Sequence, residues 1–542
     1  MSKRKHLGRS RALRPSAEGL EGRQLLSATV SGTDTAGDRW TLRLSGRGSL
    51  QVLKQDDASG NPAALNSASE IRSITISGSD PTSTRLVGTV TPAAGSSGRV
   101  FFQELTEQTN RSLKTGTGLG ILAIDMPDFY LGDTSPTAST ATGRPTAEIN
   151  IPDGINSLRF GGVDTTASFG TDPTQSPSQD GRNDQFLVRL GIPVAIGTSV
   201  VVNQITSSDQ AAVASTTAGR PNSPTQKSVV FEVFGRLDLF QANQINGSTD
   251  FAPAPASFSG GTIVSSFSDP SSGITGEIGF VRVGGNATNL SVVTNNLLAN
   301  MYVGGETNNV AVLAPNGARS FHFGRGMDTT TILTHTIENI AANRGILNSR
   351  VVTDRQIGDI MSGGDVVNST ILSGYVQGLA NVAGSVEQNI SSPSAAQAVT
   401  VPTPTAQANG QITAFVSGDV TNSVFAASDQ PVSQLVTPTN QTFGGTQDAF
   451  LPLGRITARV EGAINNATAT PDSPTTAFYA QKVKLTRGPV SPPHVVEPPL
   501  PLPARPISLP GIPRVFPKVN GKLMVHTTRP IDPASRGGFG SP

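Results

Sequence analysis

The chain has 542 residues, of which 36% are hydrophobic, 15% charged and 5% aromatic, with 58 Gly, 39 Pro and no Cys. The length allows several ordinary domains or one long repeat array, and Gly and Pro are too frequent for a compact helical enzyme yet too few for collagen. Without Cys there is no disulfide framework, thiolate metal site, CxxC redox centre or Cys nucleophile, and no stretch reaches the ~18 consecutive apolar residues of a spanning helix. The formal charge of +1 conceals a segregation. Residues 1–28 carry seven basic and two acidic side chains and residues 488–542 carry six and two, so the remaining 27 basic and 35 acidic residues leave the body at −8. An acidic body without basic stripes argues against nucleic acid as a partner.

In chain order, residues 1–28 form a basic head (Lys3, Arg4, Lys5, Arg9, Arg11, Arg14, Arg23) that lacks the apolar core of an ordinary secretory peptide. Within it, Leu20-Glu21-Gly22-Arg23-Gln24-Leu25-Leu26-Ser27 resembles the LEPR-XLL motif found near the start of many large planctomycete proteins, with Gly22 where that family has Pro. The resemblance implies an exported, extracellular or cell-surface protein and makes residues 1–28 a targeting segment. Residues 29–68 follow as a predicted capping hairpin: Trp40, Leu42 and Leu44 alternate, Gly46-Arg47-Gly48 turns, and Leu50 and Val52 alternate again. Solenoids expose unpaired strand edges at their ends, so the hairpin is expected to cover the first coil with Trp40 inward.

The organising signal lies in residues 277–390, where apolar residues recur about every 20 positions. One column runs Ile278, Leu298, Ala318, Ile337, Ile357, and a second Val281, Met301, Phe321, Ile340, Ile360. A third runs Val283, Val303, Phe323, Ala342, Ser362, Val382, a fourth Ala287, Thr307, Met327, Ile346, Val366, Val386, and a fifth Val292, Val312, Ile332, Val351, Ile371. A glycine corner (Gly284-Gly285, Gly304-Gly305, Gly324 with Gly326, Gly345, Gly363-Gly364, Gly384) separates the third and fourth columns. Asn289, Asn309, Thr329, Asn348 and Asn368 mark a position suited to left-handed backbone and to an amide ladder. Helical repeats need longer units, and leucine-rich, calcium-nonapeptide and hexapeptide rhythms are absent.

The predicted fold is therefore all-β: a parallel, right-handed β-solenoid of about 20 residues per coil, with long loop insertions, the capping hairpin and disordered tails. Two repeats per blade of a β-propeller is the competing arrangement. Fainter copies at Ile71, Ile74, Ile76, at Ile155, Leu158, Phe160, at Phe231, Val233, Leu237, at Ile412, Val416, Val420, Asn422, Phe425 and at Ile456, Val460, Ile464, Asn466 extend the solenoid to 69–487. A separate β-domain over 70–270 is the alternative. Ser-, Thr-, Pro- and Gln-rich excursions such as 171–184 and 391–410 are expected to leave from one face. Residues 488–542 hold 14 prolines and read as an extended, coreless tail.

Chemistry is sparse. No GxSxG, P-loop, HExxH or dinucleotide fingerprint occurs, and the five histidines (His6, His322, His335, His494, His526) are scattered. Asp125, Asp128 and Asp133 could ligate calcium or serve in turns, and Asp354, Asp359 and Asp365 fall at different points of the coil. Tyr130, Tyr302, Tyr375 and Tyr479 are too few for a sugar-stacking strip. No catalytic, cofactor-binding or metal residue is assigned and no cofactor is expected. The sequence leans away from an enzyme toward a structural or adhesive surface protein whose partners are envelope or extracellular polysaccharide or other surface proteins. The alternative is a carbohydrate-binding or polysaccharide-cleaving β-helix, a lyase or glycosidase.

Overall fold

The computed structural model describes residues 27–54, 64–65, 67–108, 120–133, 147–168, 185–191, 197–206, 228–246, 257–258, 261–268, 275–376, 378–391, 399–400, 405–406, 409–430, 449–450, 454–465 and 477–493. Residues 1–26 of the basic head and residues 494–542 of the proline-rich tail lie outside them. Within residues 1–499, taken as one unit, the chain winds into a parallel β-solenoid. Two walls merge into a 29-stranded hydrogen-bonded sheet and a third wall has five strands.

Wall A carries the first three predicted columns. Its strands Ile278–Val283, Leu298–Val303, Ala318–Phe323, Ile337–Ala342 and Gln356–Ser362 stack in parallel with Ile278 opposite Leu298, Leu298 opposite Ala318 and Ile337 opposite Ile357. Every member of the first two columns is buried. Period-2 alternation aims these residues inward, and each coil finishes burying them only when the next is laid down. Wall B carries the fifth column on strands such as Thr307–Ala314, Thr330–Thr334 and Arg350–Thr353, with Val312 opposite Ile332 and Ile332 opposite Val351. Wall C, built from Met327–Asp328, Gly345–Leu347, Asp365–Val367, Val420–Thr421 and Ile464–Asn465, carries the fourth.

The ladder continues unbroken toward the N-terminus. Val281 faces Phe240, Phe240 faces Val200, Val200 faces Leu158 and Leu158 faces Ile124. The described strands between Ile121 and Asn246 thus share their core with the regular block rather than forming a β-domain of their own. Toward the C-terminus, Ile357, Ile412, Ile456 and Val483 stay in register.

Several expectations are corrected. Val382, Val386 and Gly384 belong to a helix, Leu379–Ser391, and the places assigned to the two valines in columns three and four go to Val416 and Val420. Ile71, Ile74 and Ile76 sit on wall B, as do Phe231 and Val233. Asn466 and the 171–184 excursion lie outside the described residues.

The insertions also do not share one edge. The chain departs at the corner between walls C and B after Ser168, Thr206 and Asn246, but at the corner between walls B and A after Val376 and Gln430.

The N-terminal strands Arg39–Ser45 and Ser49–Lys54 do not pair with each other. The first lies antiparallel on Arg85–Thr91 of wall A and the second antiparallel on Ile71–Ser77 of wall B, so Gly46-Arg47-Gly48 carries the chain across the end of the core. Gly46 and Gly48 have φ of 87° and 112°, which the turn requires. Trp40, Leu42 and Leu44 point inward and are buried, as expected. Beneath them Lys54 is fully buried and donates from Nζ to the carbonyl oxygens of Thr33 (2.5 Å), Leu65 (3.4 Å) and Ser67. Burial pushes its ammonium below the ordinary lysine range, opposed by the nearby Glu70 and Asp34.

The helix covers an outward face of wall B that sequence reading overlooked. Val293, Leu313, Leu333, Val352 and Leu372 point away from the main core and form a second apolar cluster with Leu379, Val382, Ala383 and Val386. The excursion carrying the helix leaves after Val376, and its Val399–Thr400 pairs antiparallel with Ser257–Phe258 of an earlier excursion. At that end of the cluster, buried Glu232 accepts a 2.7 Å bond from Arg189 of the adjacent coil.

Candidate interaction surface

Three corners join the walls, and each is closed by a different repeated chemistry. Between walls C and B, Asn289, Asn309, Thr329, Asn348, Asn368 and Asn422 adopt φ of 51°, 59°, 45°, 48°, 50° and 49°. This is the left-handed region, which Asn tolerates better than other side chains. The expected amide ladder forms from Asn309 to Asn289 (2.6 Å) and from Asn368 to Asn348 (3.2 Å), and Asp328 accepts from Asn348 (3.1 Å) beside the Thr329 interruption. One residue on, a buried hydroxyl column that the sequence reading missed carries the ladder inside. Ser349, Ser369 and Ser423 accept the backbone N–H of Thr330, Ser349 and Ser369 at 3.1, 3.2 and 3.1 Å. The Asn-Ser dipeptides at 348–349, 368–369 and 422–423 were its visible signal.

Between walls B and A, Thr294 and Thr334 donate to the carbonyl oxygens of Gly276 and Ala314, both at 2.8 Å. His335 Nδ1 lies 3.2 Å from Asp354 Oδ2 at this corner. Between walls A and C runs the glycine corner. A Cβ at Gly304 or Gly324 would come within 2.3 or 2.6 Å of the carbonyl oxygen one coil back, so close stacking requires glycine there. Earlier coils put Asn243 and Asn203 at this corner, joined by a 2.7 Å amide bond, with Tyr130 Oη 3.4 Å from Asn203.

The outward face of wall A presents two columns. One holds Phe280, Asn300, Ser320, Asn339 and Asp359; the other holds Arg282, Tyr302, His322, Ala341 and Met361. Leu239, Phe280 and Tyr302 form a small apolar cluster at its N-terminal end. Burial pushes His322 below its ordinary value.

The acidic candidates are dispersed. Asp354 sits at the B–A corner, Asp359 on the outer face of wall A and Asp365 at the start of wall C, where its Oδ1 accepts Asp419 N–H at 2.8 Å. Asp125, Asp128 and Asp133 are strand residues of Ile121–Asp133 rather than turn residues, and Asp125 lies 3.6 Å from Arg159. His322 and His335 occupy different parts of the coil, and His6, His494 and His526 lie outside the described residues. Among the described residues no three His, Asp or Glu side chains are grouped to hold a metal, and no helix is long and apolar enough to cross a membrane.

One carboxyl is strongly perturbed. Glu107 is buried, its Oε2 lacks a hydrogen-bond partner among the described residues, and burial with the nearby Asp153 pushes it up to about 7 while a bond from Ser79 opposes the shift. It points into the core from wall B and faces no groove that the described residues define. In comparisons with protein-family models, curated proteins and solved structures, nothing matches the chain.

Proposed function

We propose that this is a non-enzymatic extracellular or cell-surface protein whose solenoid acts as a structural or adhesive scaffold. The observation that carries the reading is the outer face of wall A. There Asn300, Ser320, Asn339 and Asp359 repeat one polar position coil after coil, at the ~4.8 Å spacing of stacked strands. A row of hydrogen-bonding groups at constant pitch suits an extended polymer bound through many weak contacts, such as an envelope or extracellular polysaccharide or another surface protein. Cleavage of a polysaccharide requires two carboxylates at a defined separation, or a cation and a base, and the dispersal of Asp354, Asp359 and Asp365 supports binding over cleavage. The basic head and the LEPR-XLL-like Leu20–Ser27 support export.

The test is to incubate the purified chain with a panel of acidic and neutral polysaccharides and isolated cell envelopes. Retention of the protein with the insoluble fraction, weakened in an Asn300→Ala/Asn339→Ala variant, is expected. Release of unsaturated products absorbing near 235 nm, or of reducing ends, would replace the scaffold with a lyase or glycosidase.

A further inference from the structure

The outward face of wall A changes character over its last two layers. Strands Arg455–Val460 and Lys482–Arg487 lie side by side in parallel, with Ile456 and Ala458 opposite Val483 and Leu485 in the inward columns. Period-2 alternation turns Arg455, Thr457, Arg459, Lys482, Lys484 and Thr486 outward, and all six are exposed. Four of these six positions are cationic, the other two carry hydroxyls, and none is acidic. One layer earlier the same columns hold Gln411, Thr413 and Phe415, and two layers earlier Gln356, Asp359 and Met361, so the positive charge begins abruptly.

Lys482 stands directly beside Arg455, at the ~4.8 Å separation of neighbouring strands, and about 7 Å from Lys484 along its own strand. Among the described residues none of the four cations forms an ion pair, and Glu461, which follows Val460, accepts the Val490 N–H at 3.1 Å. Like charges side by side on adjacent strands destabilise a sheet. Lysines on a terminal strand guard against edge-to-edge pairing, which accounts for Lys482 and Lys484. It does not account for Arg455 and Arg459, whose strand is paired on one side with Gln411–Val416 and on the other with Lys482–Arg487. A ligand that carries the counter-charge accounts for all four.

We propose that these two layers form an anion-binding patch for an acidic polysaccharide, a linear polymer bearing carboxylate or sulfate groups on successive sugars. The proposal rests on the scaffold reading and narrows its polymer to the acidic class. Each arginine can hold a carboxylate or sulfate through two parallel N–H bonds, and the lysines add point charges. Thr457 and Thr486 place hydroxyls among them, able to donate to the same anions or to sugar oxygens. No outward position of the patch is aromatic. It therefore offers no platform for stacked bases, which favours a sugar polymer over single-stranded nucleic acid.

The test titrates the full chain with polygalacturonate, dextran sulfate and neutral dextran. Beside it run the variant Arg455→Gln/Arg459→Gln/Lys482→Gln/Lys484→Gln and a control that removes four exposed arginines elsewhere, Arg39→Gln/Arg43→Gln/Arg85→Gln/Arg344→Gln. Wild type is expected to prefer the acidic polymers to dextran, and the tighter of the two identifies the anion. The quadruple variant should bind them at least about tenfold more weakly, through the loss of several exposed charge contacts. Raising salt from about 0.05 to about 0.5 M should abolish the preference. Lys482→Gln/Lys484→Gln, confined to the exposed last strand, should lose about threefold and serves if the quadruple variant fails to melt cooperatively. Equal weakening in the control, no preference for acidic polymers, or acidic binding untouched by the variants would overturn the patch and leave the scaffold reading standing. Wild-type protein that binds no polymer would overturn both. Single-stranded DNA bound more tightly than either polysaccharide would overturn the choice of ligand.

Discussion

Replacing Asn348 with Ala isolates the energy of the C–B corner. Asn348 holds φ at 48°, and placing Ala in the left-handed region costs roughly 1–2 kcal/mol. The substitution also deletes the exposed side-chain bonds to Asp328 (3.1 Å) and Asn368 (3.2 Å), each worth about 0.5 kcal/mol net. The expected loss is therefore about 2–3 kcal/mol. Asn348→Gly removes the same two bonds but relieves the backbone, and its expected loss is only about 1 kcal/mol. Urea unfolding followed by the far-ultraviolet β-sheet signal reads both variants as midpoint shifts at a common slope. The order wild type, Gly variant, Ala variant is predicted. An Ala variant as stable as wild type, or a Gly variant less stable than the Ala variant, would refute the left-handed corner as the source of the Asn column.

Ile340 is fully buried between Phe321 and Ile360. Ile340→Asp or Phe321→Asp puts an unpaired charge into the stack and should abolish the cooperative melt seen by circular dichroism, while Ile340→Ala should cost about 2–5 kcal/mol; a full melt in either Asp variant contradicts the inward assignment. Glu107 supplies a pH dependence. Its folded-state value of about 7 lies above that of an ordinary glutamate, so the protonated carboxyl favours the folded state, and that stability is present below about pH 4.5 and lost as pH rises through 7. At 1.36 kcal/mol per pKa unit the loss is about 3 kcal/mol. Glu107→Gln should remove this fall, giving a flatter urea midpoint between pH 5 and 8 and a more stable protein at pH 8; an unchanged slope contradicts the shift.

The inward columns were legible because a repeat places one residue type in one environment many times, so Val281, Met301, Phe321, Ile340 and Ile360 report a shared position. The Asn column was legible for the same reason, with a backbone requirement behind it. Val382 and Val386 misled because they lie 20 residues from Ser362 and Val366 and also four from each other, which satisfies the coil step and a helix face at once. Ile71, Ile74 and Ile76 could be placed on a strand but not on a wall, since inward alternation looks the same on A and B. Trp40, Leu42, Leu44, Leu50 and Val52 likewise fix which faces are buried and not which strands pair; that choice depends on Arg85–Thr91 and Ile71–Ser77, far along the chain. Of the interaction surface, the glycine corner could be read from spacing. The seating of Val490 on Glu461 (3.1 Å) and Ser417 (3.4 Å) could not, because one valine among prolines carries no periodic signal.

The central claim is that coils stack one layer per turn whatever the length of chain between them. Spin labels at the outward position Asn300 paired with Thr413, Thr457 or Lys484 test it directly, because these residues occupy successive layers of one wall A column. At ~4.8 Å per layer, electron–electron distance measurements should give about 19, 24 and 29 Å, allowing for the label arms. Equal steps are predicted although the intervening chain differs in length. Unequal steps that scale with the 44 residues from Thr413 to Thr457 and the 27 from Thr457 to Lys484, or broad distributions without order, would contradict the stacked solenoid.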